Sequence, residues 1–369
     1  MSPSVTNLLN EFTELIYLLV ADMLAPEDEI STSLRVRKNA KFAALIFFAA
    51  AVLLFIAHLL KGIELSGKAD FYWVYIAGTE VRTGHALDLY NLALYPFSAP
   101  FDRAAWESLL FVPFTFFPFS VALRLWNTVS IVLFGVSGWL LRYEIRDILV
   151  SRPQFLRRLF LFALLIPIGE TLAFGQDAAL FLLFIVLALK SAKNRKDWDA
   201  GIWIGLASIK LQLLLPLFLL IILRRKWQIA WSVALTGIFL FCISTALAGP
   251  NWVFACIHTQ ASVTDQMGYL TARYILTLSG VHKLTLVILV AGVLVSLWLV
   301  RNMPFERAAA WMIVSAIFFN WHSLPYDYAS ALPAIVLKES PLKGGEDTIT
   351  TGRHLIHSAA RNVCGTSQH

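Results

Sequence analysis

Apolar and polar positions in this chain fall into blocks. Unbroken apolar runs fill about 42–60, 121–141, 159–168, 178–189, 200–223, 229–247, 284–300, 308–319 and 328–337, and charge collects in the gaps between them. Continuous runs without period-two alternation predict helices over strands. Those near 20 residues match a ~30 Å hydrocarbon core. Because bilayers admit only helices or closed barrels, the pattern predicts an all-α polytopic membrane protein. It would have about 9–10 transmembrane or half-membrane helices and a long first extracytoplasmic loop. Composition agrees: 58% of residues are hydrophobic, 15% are charged and mean hydropathy is +0.68, against about one half and one quarter in soluble domains.

Basic residues orient the runs. Arg35, Arg37, Lys38 and Lys41 precede the first run, and further clusters follow at Arg142–Arg158, Lys190–Lys196, Arg224–Lys226 and Arg301–Arg307. Eighteen of the 30 Lys and Arg then lie in inner loops and eight in outer segments, as the positive-inside tendency requires. The net charge of +6 therefore reads as cytoplasmic loops, and no nucleic-acid partner is expected. The division predicted is a cytoplasmic or interfacial segment 1–38, a transmembrane domain 39–338 with an extracytoplasmic loop 61–108, and a polar cytoplasmic tail 339–369. The N-terminus lacks the basic start and early apolar core of a cleaved signal peptide.

Three runs resist a simple crossing. Leu109–Phe119 is broken by Pro113 and Pro118 and reads as a re-entrant or interfacial piece. Runs 159–168 and 178–189 are short, so the turn Gly169–Asp177 between them is expected to dip into the membrane. Crossing once, Ala200–Leu223 would put Arg224, Arg225 and Lys226 outside. Two half-length helices meeting near Lys210 would return both ends to the cytoplasm, and that is the predicted arrangement.

Chemistry concentrates at Asp70-Phe-Tyr-Trp-Val-Tyr-Ile-Ala-Gly78, with Asp88 and Tyr90 beyond it. A carboxylate at the lip of a membrane helix can take a proton from a sugar hydroxyl while rings stack on the sugar. The plainer alternative is a solvated loop carboxylate among interfacial aromatics. Lys210 stands in an apolar run, where a charge costs about 2.5–3.5 kcal/mol at the bilayer centre. It is expected to face an aqueous cavity or an anion, or else to snorkel. Gln176 and Asp177 open a short helix, where free amides suit anions and polar ligands, although simple capping explains them equally well. His322 and Asp327 cap the last two runs, and Arg273 and His258 lie in the outer loop 249–283. Gly62-Ile-Glu-Leu-Ser-Gly-Lys68 has phosphate-loop spacing but lacks the final Ser or Thr and follows a membrane helix, so it is rejected. The histidines are too scattered for a metal site. Cys242, Cys256 and Cys364 fall in different compartments, so no disulfide is expected.

The chain also resembles glycosyltransferase family 87, bacterial polyprenol-phosphate-sugar-dependent, mannosyltransferase-like proteins of GT-C architecture. The resemblance rests on Asp70–Gly78 with Gly84, Leu89 and Tyr90; on Phe111-Val-Pro-Phe114, Pro118, Leu125 and Trp126; on Gly175-Gln-Asp177; and on Ala200–Lys210 with Pro216 and Arg224–Trp227. It implies a GT-C-like bundle in the bacterial inner membrane with an extracytoplasmic active site. It also implies a polyprenyl-phosphate-sugar donor, mannose first, and a lipid, glycan or protein acceptor. Asp70 becomes the catalytic base and Lys210 a donor-phosphate ligand, and Trp321-His322 matches loosely a Trp- and His-bearing last turn. Members continue with further apolar helix after that turn. Here about ten apolar residues precede a polar tail, which leads to the expectation of a truncated or frameshifted C-terminal wall.

The reading that joins these strands is an inverting membrane hexosyltransferase. Asp70 deprotonates the acceptor, and Lys210, Arg273 and His322 contact the donor phosphate. Tyr72, Tyr75, Asp88, Tyr90, Gln176 and Asp177 contact sugar or acceptor. Cationic side chains can meet the leaving-group charge, so no metal or cofactor is expected. A transporter or lipid flippase, favoured by broken helices, and a non-catalytic partner in cell-envelope glycan synthesis remain as alternatives.

Overall fold

The computed structural model describes residues 70–95, 101–142, 145, 166–263, 271–273, 276, 284–320 and 323–337. The expected first span, Phe42–Leu60, and the polar tail lie outside the described residues. Helices make up the regular structure among the described residues, in chain order α1 (Phe71–Thr83), α2 (Phe119–Leu140), α3 (Ala178–Lys193), α4 (Asp197–Leu206), α5 (Leu211–Leu223), α6 (Trp227–Ala248), α7 (Trp252–Val263), α8 (Thr285–Leu299) and α9 (Phe305–Phe318). Short 3-10 and α turns at 105–116 and 325–336 complete them. The chain is an all-α membrane protein, and its lipid-facing surfaces show it. Trp231, Ile238 and Phe239 on α6 and Leu286, Val287 and Val295 on α8 are all more than half exposed. Such continuous apolar surface is stable in hydrocarbon and a liability in water.

By length and composition three stretches could cross a membrane, among them the 27 residues of Asp197–Leu223. A straight helix of that length would part its ends by about 40 Å. Instead the Lys226 ammonium lies 3.2 Å from the Asp197 carboxylate, so the segment doubles back. The fold occurs where α4 gives way to a 3-10 turn over Ala207–Lys210, and Lys210 leaves helical geometry at φ −129°, ψ 61°. α4 runs parallel to α6. The Trp198 carbonyl accepts from Ser232 Oγ at 2.7 Å, and Gly201 and Gly205 pack against Ser232 and Thr236 in turn. A Cβ at Gly201 would come within 2.4 Å of the Ser232 Cβ, and one at Gly205 within 2.6 Å of Thr236. This Gly-x-x-x-Gly pair lets the two backbones approach as small residues do in membrane packing. The predicted pair of half-length helices meeting near Lys210 is therefore what the chain forms.

The turns at one end of the bundle are basic. Lys190 Nζ donates to the Leu140 carbonyl at 2.6 Å, and Arg224 Nη2 donates to Val300 and Met303 carbonyls at 2.9 and 3.1 Å. These bonds set the ends of α2, α3, α5 and α8 side by side. Trp139 stacks under Arg142 and Trp298 under Arg301, at 4.4 and 4.1 Å, and both rings are exposed. Exposed Trp beside Arg is the pairing expected at a membrane–water boundary.

α3, with 16 residues, reaches about 24 Å from that end, whereas the 22 residues of α6 reach about 33 Å. Above the shorter helices lie α1 and the 105–116 turns. The stretch expected as an open loop thus carries a 13-residue helix. Phe71 anchors it, wholly buried among Phe111, Phe119 and Trp126 with ring centroids 6.0, 5.9 and 6.3 Å away. Its apolar face of Phe71, Val74, Ala77 and Gly78 has helical spacing.

Candidate active site

Four of the residues singled out in the sequence meet where the half-helices end. Asp70 caps the start of α1, Gln176 and Asp177 precede α3, and Lys210 closes the 3-10 turn between α4 and α5. A turn built on Gly175 positions Gln176. Its φ is +65°, and a Cβ there would come within 2.5 Å of the Phe71 Cβ. Only glycine combines that left-handed backbone with so close an approach. Trp126 Nε1 donates to the Gly175 carbonyl at 2.9 Å, Asn127 Nδ2 donates to the Leu172 carbonyl at 2.9 Å, and the Gln176 amide donates to Thr171. The turn is thereby tied to α2. Because Phe71 lies against Gly175, Asp70 lies against Gln176, whose Nε2 donates to Asp70 Oδ2.

Two residues that sequence reasoning did not assign to the site complete it. Arg103 forms an ion pair with Asp177, donates to Gln176 Oε1 at 3.4 Å, and lies 3.8 Å from Glu107. Tyr90 and Cys256 hold the Arg103 turn by its backbone: the Tyr90 hydroxyl donates to the Arg103 carbonyl at 2.8 Å, and the Cys256 thiol lies 3.6 Å from it. Asp327 lies 2.9 Å from Lys210, while Asp177 lies 3.2 Å from the same ammonium. The other oxygen of Asp327 accepts from the Leu324 amide at 3.0 Å, and the Tyr326 ring sits 4.9 Å beneath Lys210. A buried lysine needs counter-charge, so a search for carboxylates at the ends of neighbouring half-helices was the signal available.

The carboxylates are held differently. Asp177 and Asp327 are bound to cations. Asp70 is half-buried and has a neutral amide as its hydrogen-bond donor. Burial pushes the Asp70 carboxyl above the usual carboxylate range, while the Gln176 hydrogen bond and the charges of Arg103 and Lys210 pull against that rise. Burial works against the Arg103 charge, and Asp177, Glu107 and Asp102 more than offset it.

The remaining candidates lie elsewhere. Tyr72 packs edge-on against Trp73 and Phe119, and the Tyr75 hydroxyl donates to the Phe117 carbonyl at 2.9 Å. Asp88 is exposed in the 3-10 turn Ala86–Asp88, and Arg273 is half-buried in the short helical turn 271–273. His322 lies outside the described residues.

Taken together, this is a buried, charge-dense cluster at the end of the paired half-helices away from the basic turns, with one carboxylate, Asp70, in no direct ion pair among the described residues. The model of glycosyltransferase family 87 matches residues 107–325. No curated protein and no solved structure matches the chain.

Proposed function

The chain belongs to glycosyltransferase family 87, and we propose that this membrane glycosyltransferase moves a hexose, mannose first, from a polyprenyl-phosphate donor to an extracytoplasmic acceptor. Asp70 takes the proton of the acceptor hydroxyl. That oxygen attacks the anomeric carbon in line, the bond from that carbon to the phosphate oxygen breaks, and configuration inverts. Charge develops on the departing prenyl phosphate, and Lys210 and Arg103, whose charges act on Asp70, are the cations proposed to meet it. Arg273 and His322 are further candidate phosphate contacts. Tyr72, Tyr75, Asp88, Tyr90, Gln176 and Asp177 are candidates for sugar or acceptor contacts, the last two from within the cluster.

The observation that carries this reading is the contrast between carboxylates. A base needs a lone pair that no cation has claimed and an affinity for protons above that of an ordinary aspartate. Asp70 meets both conditions, with Gln176 as its donor and burial raising its proton affinity. In Asp177 and Asp327 the carboxylate is already claimed by a cation. The basic, tryptophan-flanked turns at the far end of the bundle favour a cytoplasmic position for that end, which supports the reading of the cluster as extracytoplasmic, in a bacterial inner membrane.

The test is sugar transfer by purified protein in nanodiscs, with radiolabelled prenyl-phosphate sugars as donors and a membrane-lipid extract as acceptor. Wild-type turnover that falls by about 10²–10⁴ in Asp70→Asn would support the assignment. Turnover that survives in Asp70→Asn would remove Asp70 as the base, and no wild-type turnover with any prenyl-phosphate donor would sink the donor class.

A further inference from the structure

We infer that the Tyr326 phenol is a further substrate-contacting group, donating a hydrogen bond to the phosphate of the departing lipid carrier beside Lys210. The inference rests on the prenyl-phosphate reading above. It starts from how fully the cations of the cluster are already engaged. Lys210 faces both Asp177 and Asp327, and Arg103 faces Asp177, Glu107 and Gln176. Asp70, Asp177 and Asp327 stand against these two cations, and Glu107 is a further, buried carboxyl beside Arg103. A leaving phosphate that gains negative charge enters a site whose positive charge is largely spent. A neutral donor costs nothing in that electrostatic balance, and a phenol is the neutral donor that the site holds uncommitted.

Tyr326 is 8% exposed; its hydroxyl makes no hydrogen bond among the described residues, and because it is not one of the fully enclosed unpartnered oxygens it keeps some access from outside. Buried tyrosine hydroxyls ordinarily find a partner. The side chain does not stray: it belongs to the 3-10 turn Pro325–Ala331, its ring lies 4.9 Å from Lys210 Nζ, and the next residue, Asp327, is bound to that ammonium. Its phenol also lies in the field of Asp70, Arg103 and Asp177, the groups that surround the expected path of transfer. The plain alternative is that Tyr326 serves as a ring under Lys210, a cation–π platform whose hydroxyl is incidental.

The step balances without a further reactant. The pair of electrons in the bond between the anomeric carbon and oxygen goes to the phosphate, the acceptor oxygen bonds to the anomeric carbon, and its proton goes to Asp70. Tyr326 keeps its own proton and shares it in a hydrogen bond to a phosphate oxygen as charge grows there.

Tyr326→Phe in the full-length protein separates the two roles, because it keeps the ring and removes the hydroxyl. Turnover with a prenyl-phosphate sugar, inhibition by prenyl monophosphate and the thermal unfolding midpoint would be measured together. Expected are a kcat lowered roughly 10- to 100-fold, inhibition by prenyl monophosphate weakened by a similar factor, and an unchanged unfolding midpoint. Turnover and inhibition within twofold of wild type would overturn the inference. A loss of turnover with a lowered unfolding midpoint and unchanged inhibition would overturn it too, in favour of the platform role. Absence of wild-type turnover would sink the donor reading and this inference together, whereas wild-type turnover beside an unaffected variant sinks this inference alone.

Discussion

Gln176 donates a side-chain hydrogen bond to Asp70 across 106 residues of sequence, and its carbonyl oxygen faces Arg103. The guanidinium fixes which end of the amide turns to the carboxylate, because a flipped amide would set its NH₂ against a cation. Asp70 is thereby oriented by a neutral group, and the charge of Arg103 reaches it at one remove.

A pH dependence follows. A general base acts only when deprotonated, so turnover is present above its folded-state pKa and is lost as pH falls through it. Burial raises that pKa from the ordinary 3.8, and the acid limb of kcat/KM is expected above the usual aspartate range. The groups acting on Asp70 are Gln176, Arg103, Lys210 and Asp102, and the first three lower its pKa. Gln176→Leu removes one of these opposing influences, so its acid limb moves to still higher pH. A limb that stays in place or moves to lower pH would contradict the role given to Gln176. pH–rate profiles of the two proteins decide it.

Gly175→Ala should disturb the same pair from the backbone. The new methyl group would have to share space with the Phe71 Cβ at 2.5 Å and adopt φ +65°. The combined strain and overpacking cost about 2 kcal/mol or more. Both thermal unfolding and turnover are expected to fall, since pushing Phe71 away moves Asp70 from Gln176. Gly237→Ala is a fitting control, because a Cβ there meets nothing within 4 Å. Equal behaviour of the two variants would count against the close approach.

Lys210 is a poor target for a simple truncation. Lys210→Met would leave Asp177 and Asp327 facing each other while buried, a loss of roughly 3–5 kcal/mol for a broken buried ion pair. Lys210→Met with Asp327→Asn removes one charge of each sign, and Asp177 keeps Arg103. The double variant is therefore expected to recover most of the stability lost in the single one and to remain slow in turnover. Denaturation midpoints of both variants in matched detergent measure the coupling, and additive losses would show that Lys210 and Asp327 do not act as a pair.

Legibility in the sequence followed the size of the physical penalty. Lys210 in an apolar run and three basic residues after it could not both be satisfied by a straight crossing, so the break was visible. Gln176 and Asp177 were visible as the start of a helix. Arg103 and Asp327 were not, although each binds a residue that had been singled out. In the sequence Arg103 is one loop charge among several and Asp327 one cap, because ion pairs between distant elements leave no periodic trace. Helix α1 is legible only in the helical spacing of Phe71, Val74, Ala77 and Gly78, because its aromatics and the preceding Asp70 fit an interfacial loop equally well. The contact of the Tyr90 hydroxyl with the Arg103 backbone joins distant segments and likewise leaves no periodic trace.

The doubling back of Asp197–Leu223 makes a prediction independent of any activity. Cysteines at Asp197 and Lys226, in a protein whose native Cys242, Cys256 and Cys364 are replaced by alanine, should be joined by a short bis-maleimide. The wild-type side chains at these positions approach to 3.2 Å, whereas a straight helix would hold the two positions more than about 40 Å apart. Cross-linked peptides spanning 197 and 226, detected by mass spectrometry after tryptic cleavage, are the expected result. The same two cysteines should react with a membrane-impermeant maleimide from one side of the membrane only, and from the same side. Labelling from opposite sides with no cross-link would mean that the segment crosses once. Lys210 would then lie midway along a spanning helix, away from the ends that bring Asp177 and Asp327 to it. The hairpin is thus the structural condition on which the whole charge cluster depends, and it can be tested before a donor is known.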